Sequence, residues 1–298
     1  MPRSLVITAK QNPDLDGVAC AVGYAELLKR TGSHAVAVVA GKPDAEARFV
    51  LSRVQIEVSA AVPSDTTGVV LVDMSALPEL PEFVTPEVVI EVIDHRLHGD
   101  PTSSFPNAVV QVEAVGAAAT LLFERFSRAG IAPSWESGVL LQAAIQSNTQ
   151  RLNGSVTTPR DVDAARALQA LHPLPADLID GQFKARAAEI LCDLPAAVLR
   201  ETKTFEHASG TFQVSQLECP GALELVAKVR SLLNSSRTMI SLVDPVLPAS
   251  AIVVTDPEFR AWVASRAGVT FDSDTAWPAQ VLLRKQLVAR ILSAGGGE

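Results

Sequence analysis

Asn12-Pro13-Asp14-Leu15-Asp16-Gly17 sets two carboxylates two residues apart in a proline-stiffened loop, after an apolar run and before an amphipathic one. Carboxylates so spaced can turn into one volume and hold a hard divalent cation. The local alternative is a helix cap, because an aspartate before a helix accepts the orphan N–H groups of its first turn. Two further acids close apolar runs: Asp73 after 69–72, and Asp94 after 88–93, with His95 and Arg96 following it. One such acid says little. Their coincidence in strongly apolar sequence, with a histidine alongside, predicts a common site.

The elements that must position these residues follow from the hydrophobic pattern. Short β-branched runs at 5–8, 35–39, 69–72, 88–93 and 108–112 alternate with amphipathic stretches at 17–30, 45–52, 116–129 and 136–145. That alternation predicts an α/β fold with a parallel sheet and crossover helices. Asp14, Asp73 and Asp94 would then lie at strand carboxyl ends, where ligands gather in open sheets. A helix over 157–170 closes this domain, expected to span 1–182, with a linker at 183–190 after the Pro- and Asp-rich 171–180. A smaller mixed α/β domain over 191–298 opens with a hairpin, 202–207 and 211–217, turning at Ser209-Gly210. It continues with a helix at 222–233, strands at 238–242 and 251–254, a helix at 258–266, a last helix at 278–292 and a frayed tail at 295–298.

A chain of 298 residues with 48% hydrophobic content can bury two cores, yet its apolar runs are far too short to span a membrane. Nor does the N-terminus resemble a secretion signal, so a cytoplasmic location is expected. Cys20, Cys192 and Cys219 are too scattered for a disulfide framework or a zinc pair. The net charge of −8 argues against binding duplex nucleic acid over a broad basic surface, while leaving room for a local basic pocket. Gly41-Lys42-Pro43 lacks the full phosphate-loop pattern, and His34, His172 and His207 have no acidic or cysteine neighbours at ligand spacing.

With these motifs in view, the chain resembles the DHH phosphoesterases, above all family II (manganese-dependent) inorganic pyrophosphatases and prune-type exopolyphosphatases. The N-P-D-x-D loop, Leu71-Val72-Asp73, Asp94-His95-Arg96 and the V-G-x-x-x-T helix start at 115–120 come in the family's order. Asp-His-Arg matches the prune-like triplet rather than Asp-His-His. In the second domain, Glu201-Thr202-Lys203-Thr204-Phe205 and Arg284-Lys285-Gln286 are similar to the family's phosphate-gripping segments, although the leading Ser-Arg pair there falls on Leu282-Leu283.

The resemblance implies that Asp14, Asp16, Asp73 and His95 ligate metal and act in catalysis, that Asn148 is a further, poorer ligand, and that Asp94 supports them. It makes Lys10, Arg96, Lys203, Arg284 and Lys285 the phosphate-binding cations, although basic residues on a helix are by themselves an ordinary solvated face. Three positions depart from the pyrophosphatase pattern: Lys10 stands for a metal-binding histidine, Asn148 for an aspartate and Arg96 for the triplet's second histidine. His98 could replace a lost ligand, but a loop histidine is more often simply exposed.

The resulting expectation is a hydrolase of pyrophosphate or short polyphosphate with one manganese or magnesium ion rather than two, and correspondingly slow. The competing reading is a noncatalytic phosphate sensor or interaction protein on a degenerate site. A phosphodiesterase of small RNAs or cyclic dinucleotides ranks third, because the glycine-rich C-terminal domain of those relatives is absent. The resemblance also implies that phosphate bridges the two domains on closure and admits a homodimer through the first domain.

Overall fold

The computed structural model describes residues 4–96, 100–233 and 235–293; His98 and the tail at 295–298 lie outside them. The chain divides into two compact units, Met1–Gln182 and Phe183–Glu298.

The first unit runs β1 (Ser4–Thr8), α1 (Leu15–Arg30), β2 (Ala35–Ala37), α2 (Ala45–Val54), β3 (Thr66–Val72), β4 (Val89–Asp94), α3 (Pro101–Ser104), β5 (Val109–Val112), α4 (Ala118–Arg128), α5 (Trp135–Asn148) and α6 (Pro159–Leu171). Its five strands are all parallel, in the order β2-β1-β3-β4-β5. Successive side chains of a strand point to opposite faces, and both faces are buried. Ile7, Val70, Val72 and Ile93 join the core formed with α1, α2, α4, α5 and α6. Val6, Val69, Leu71 and Val92 face the other way, into a smaller core with Met74, Val84 and Phe105. That second face is covered by irregular chain because Pro78, Pro81 and Pro86 interrupt any helix between β3 and β4, leaving two 3-10 turns.

The strand order reverses direction at β1, with β2 on one side and β3 on the other. At such a switch point the loops leaving neighbouring strand ends part and open a crevice. Thr8 pairs with Leu71 and Val72 with Ile93, so β1, β3 and β4 end side by side. Gly17 lets α1 begin tight against this edge: a Cβ there would lie 2.7 Å from the Ala9 Cβ.

The second unit contains α8 (Leu194–Arg200), β6 (Thr202–Phe205), β7 (Phe212–Glu218), α9 (Val226–Arg230), β8 (Thr238–Asp244), β9 (Ala249–Val253), α10 (Pro257–Ala267), β10 (Phe271–Asp272), β11 (Thr275–Ala276) and α11 (Arg284–Ser293). The six strands run in the order β10-β11-β9-β8-β7-β6, antiparallel except for the β7–β8 pair. The hairpin turn falls at Gly210, which takes φ +111.

Three differences from the sequence expectation have physical causes. Residues 183–190, expected as a linker, belong to α7 (Leu178–Cys192); Phe183-Lys-Ala-Arg-Ala-Ala-Glu-Ile is composed mostly of good helix formers, and the proline-rich signal lay upstream. The last helix starts at Arg284 rather than 278, since Leu282 and Leu283 are buried and the Leu282 N–H donates to Ser250 Oγ at 3.0 Å. The segment 222–233 is a 3-10 turn followed by the short α9.

Candidate metal centre

The loop after β1 is braced at both ends of its turn. The Asn12 N–H donates to the Ala40 carbonyl at 2.8 Å, and Asn12 Oδ1 accepts the Lys42 N–H at 2.9 Å. Asp14 caps α1, accepting the Gly17 N–H at 3.2 Å, and also accepts Lys10 Nζ at 2.6 Å. One aspartate of this loop thus caps the helix while the other turns inward.

Asp16 is that inward residue, 1% exposed. It accepts the N–H groups of Ala118 and Ala119 at 2.8 and 2.9 Å, Asn148 Nδ2 at 2.6 Å and the Cys20 thiol at 3.5 Å. Asp73 leaves the end of β3 in a left-handed conformation, φ +52, with its N–H donating to the Ile93 carbonyl at 2.8 Å. A non-glycine residue in that region is uncommon and strained, and here the strain turns the side chain out of the strand's alternation. His95 donates from Nδ1 to the Val115 carbonyl at 3.0 Å and points Nε2 at Asp73 Oδ1, 3.4 Å away.

Ligand atoms of Asp16, Asp73 and His95 lie within 4.8 Å of one another, forming the one such group among the described residues. Burial pushes the carboxyls of both Asp16 and Asp73 upward; the charge of Asp73 adds to the shift of Asp16, and that of Asp14 to the shift of Asp73. Burial alone would lower the His95 imidazole, but Asp73 and Asp16 carry it up to about 9. Two buried carboxylates, beside an imidazole whose Nδ1–H is spent on a carbonyl, suit a divalent cation taking oxygen and nitrogen donors.

The remaining expected ligands sit differently. Asp14 stands outside the trio, paired with Lys10, which holds its carboxyl well below the usual range. Lys10, in turn, is kept charged against burial by Asp14 and Asp73. Asn148 reaches the trio as a hydrogen-bond donor to Asp16, with its amide nitrogen rather than its oxygen turned to the carboxylate. Arg96 grips the rim: Nη2 donates to the Asp73 carbonyl and lies 3.5 Å from Asp73 Oδ1, while Nε is 3.2 Å from Asp94 Oδ1. Asp94, 1% exposed, also accepts Ser75 Oγ at 2.6 Å and the His95 N–H at 2.7 Å.

Lys203, Arg284 and Lys285 belong to the second unit. Lys203 is an exposed residue of β6 opposite Val214. Arg284 opens α11 half-buried, its guanidinium donating to the Glu201 carbonyl, and Lys285 beside it is exposed.

Sequence reasoning missed the peptide groups of 115–119 and the buried Asp161 that meets them. The one available signal was Thr158-x-x-Asp161, a capping-box spacing that the proline at 159 overshadowed.

Residues 4–145 match the model of the DHH family, N-terminal domain. This stretch carries the chain's likeness to the DHH family. The match encloses every member of the acidic cluster and stops just before Asn148. Over nearly its full length the chain is similar to a protein of Enterococcus faecalis assigned as a manganese-dependent inorganic pyrophosphatase, with 24% identity covering 96% of this chain and 97% of that protein. A Bacillus licheniformis protein of the same assignment is 25% identical, covering 95% and 96%. Among solved structures, a Methanococcus jannaschii protein assigned to the family II inorganic pyrophosphatases superposes with TM-score 0.73 at 19% identity, covering 98% of this chain and all of that one. An exopolyphosphatase-related protein of Bacteroides fragilis gives 0.54 at 13% identity, covering 98% and 91%. The chain thus shares the two-domain α/β fold of the Methanococcus protein. Among the described residues, no helix is long and apolar enough to cross a membrane.

Proposed function

We propose that this chain is a metal-dependent hydrolase of phosphoanhydrides, pyrophosphate or short polyphosphate, working with one divalent cation. The observation that carries the reading is the convergence of Asp16, Asp73 and His95 within 4.8 Å. The manganese-dependent pyrophosphatases similar to it over their whole length support the choice of metal and substrate.

Asp16, Asp73 and His95 would hold the cation, which when bound supplies the Lewis acidity that polarises a phosphoryl oxygen and makes water nucleophilic near neutral pH. Arg96 and Lys10 offer positive charge to the substrate's oxygens at the same edge. The Arg96 fork is anchored through Nε and Nη2, leaving its other amine for a phosphate, a geometry Lys could not reproduce. Asp94 holds the backbone and guanidinium that aim this fork. Lys203, Arg284 and Lys285 are assigned to phosphate binding by the second unit, and 1–182 to the metal.

Turnover should be slow. Lys10 brings an ammonium to Asp14 at 2.6 Å, where it neutralises a carboxylate that a second cation would need. Each tenfold rate loss corresponds to about 1.4 kcal/mol of transition-state stabilisation, so a missing cation can remove several factors of ten. The same ion pair, together with the amide of Asn148 on Asp16, supports the second reading, a phosphate-binding sensor without turnover.

Phosphate release from pyrophosphate and tripolyphosphate, with manganese, magnesium or no added metal, separates the two. Release that needs metal and vanishes in Asp16→Asn supports the hydrolase. Binding of either anion without release supports the sensor.

A further inference from the structure

We propose that Asp161 is a positioning residue for the metal centre, orienting both Asp16 and His95 through the backbone at the start of α4. This inference rests on the metal-site reading above and deepens it.

Asp161 is fully buried. Its Oδ2 accepts the Thr158 N–H and Thr158 hydroxyl, both at 2.7 Å, which is the local cap of α6. A cap needs no more than that. Yet the same carboxylate reaches across the fold to accept the Gly116 N–H at 2.8 Å and the Thr120 hydroxyl at 2.6 Å. Those two partners bracket the first turn of α4, whose N-cap position is Ala117 and supplies no side-chain cap.

The bracketed turn is the part of the fold that touches the ligands. The peptide joining Val115 to Gly116 is one rigid plane. Its carbonyl accepts His95 Nδ1 at 3.0 Å while its N–H donates to Asp161. Two residues on, the N–H groups of Ala118 and Ala119 hold the two oxygens of Asp16. A negative charge on the far side of that peptide polarises it, which strengthens its carbonyl as the acceptor that keeps Nε2 of His95 turned to the acids. The approach is built for this contact: a Cβ on residue 116 would stand 2.9 Å from Asp161 Oδ2 and 2.6 Å from Thr149 Cγ2.

The test compares Asp161→Ala, Asp161→Asn and the milder Thr120→Val with Leu168→Ala, which opens the core on α6 about two turns beyond Asp161. Manganese alone is titrated against each folded variant, following loss of the free-ion paramagnetic resonance signal. Amide hydrogen exchange of Gly116, Ala118 and Ala119 is followed in the metal-free proteins. Expected are faster exchange at those three amides and a manganese affinity lower by about 10- to 100-fold in Asp161→Ala, less in Thr120→Val, with Leu168→Ala unchanged in both. Unchanged exchange in the Asp161 variants, unchanged manganese affinity, or an equal loss in Leu168→Ala would each overturn the proposal. If the unaltered protein takes up no manganese, the metal reading itself falls, and the exchange measurements alone then decide whether Asp161 governs these amides.

Discussion

Nε2 of His95 stands 3.4 Å from Oδ1 of Asp73, and each favours the other's charged form. The imidazole's pKa is raised from 6.5 to about 9 in the metal-free fold, so its contribution to stability is complete below 6.5 and is lost as pH climbs through 9. Cation binding has the opposite sign, because a ligating imidazole must be neutral and its proton must leave. Manganese affinity should therefore rise by about tenfold per pH unit between roughly pH 6 and pH 9, with the upward-shifted Asp16 steepening the lower part. Calorimetric titrations in buffers of different ionisation enthalpy would count the protons released. A flat profile would remove His95 from the ligand set.

Lys10 and Asn148 each place nitrogen against a carboxylate of the cluster, on Asp14 and Asp16 respectively, at 2.6 Å. Because over a third of the Asp14 side chain is exposed, the Lys10 pair contributes on the scale of a surface salt bridge, about 1 kcal/mol or less. On the one-cation reading proposed above, its larger effect would be to exclude a second cation. The unaltered chain should bind one manganese, and Lys10→His combined with Asn148→Asp should bind two, with phosphate release rising by about tenfold or more. Metal analysis of dialysed protein gives the count. A double variant that still holds one ion would show that something other than these nitrogens limits occupancy.

Gly17 tests the link between packing and the site. With its added Cβ 2.7 Å from that of Ala9 and 3.2 Å from that of Pro13, Gly17→Ala must push α1 away from the strand end. Denaturant unfolding should show a loss of about 1–3 kcal/mol. Manganese affinity of the folded protein should fall as well, since Asp16 sits one residue earlier. Leu71→Ala, buried near the end of β3 on the sheet face turned away from α1, should cost about 2–5 kcal/mol while leaving affinity nearly intact.

Asp73 and Asp94 were legible because β-branched runs end abruptly in an acid, and a strand buried on both faces reads as a continuous apolar run whose end is plain. Asp16 was legible as a member of the acidic cluster, but not as the residue that satisfies α4's free N–H groups, since its partners lie 102 and 103 residues away. The direction of Asn148's amide was likewise invisible, because it depends on what faces it rather than on its own sequence neighbours. Helix α7 was read as a linker because the prolines of 171–180 announce a break that the chain has already completed by Leu178. Local signals placed the strand ends, while contacts between distant segments decided what each side chain does there.

Asp94 meets the trio through the backbone of His95 and through Arg96 rather than through the ligand atoms themselves. It accepts the N–H groups of His95 and Arg96 at 2.7 and 3.2 Å, the Arg96 Nε at 3.2 Å and the Ser75 hydroxyl at 2.6 Å. Through these bonds one buried carboxylate fixes the turn after β4, the ring position of His95 and the direction of the Arg96 fork. Asp94→Asn keeps the shape but places an amide nitrogen against donors, so at least one of them loses its acceptor, at about 1–3 kcal/mol of stability. Manganese affinity should drop by about 10-fold or more through His95, and inorganic phosphate affinity should drop separately through Arg96. Ser75→Ala removes only the hydroxyl on the opposite oxygen and should lower stability with little effect on either ligand. Equal losses of both affinities in Ser75→Ala and Asp94→Asn would show that Asp94 acts through general stability and not through the two side chains it aims.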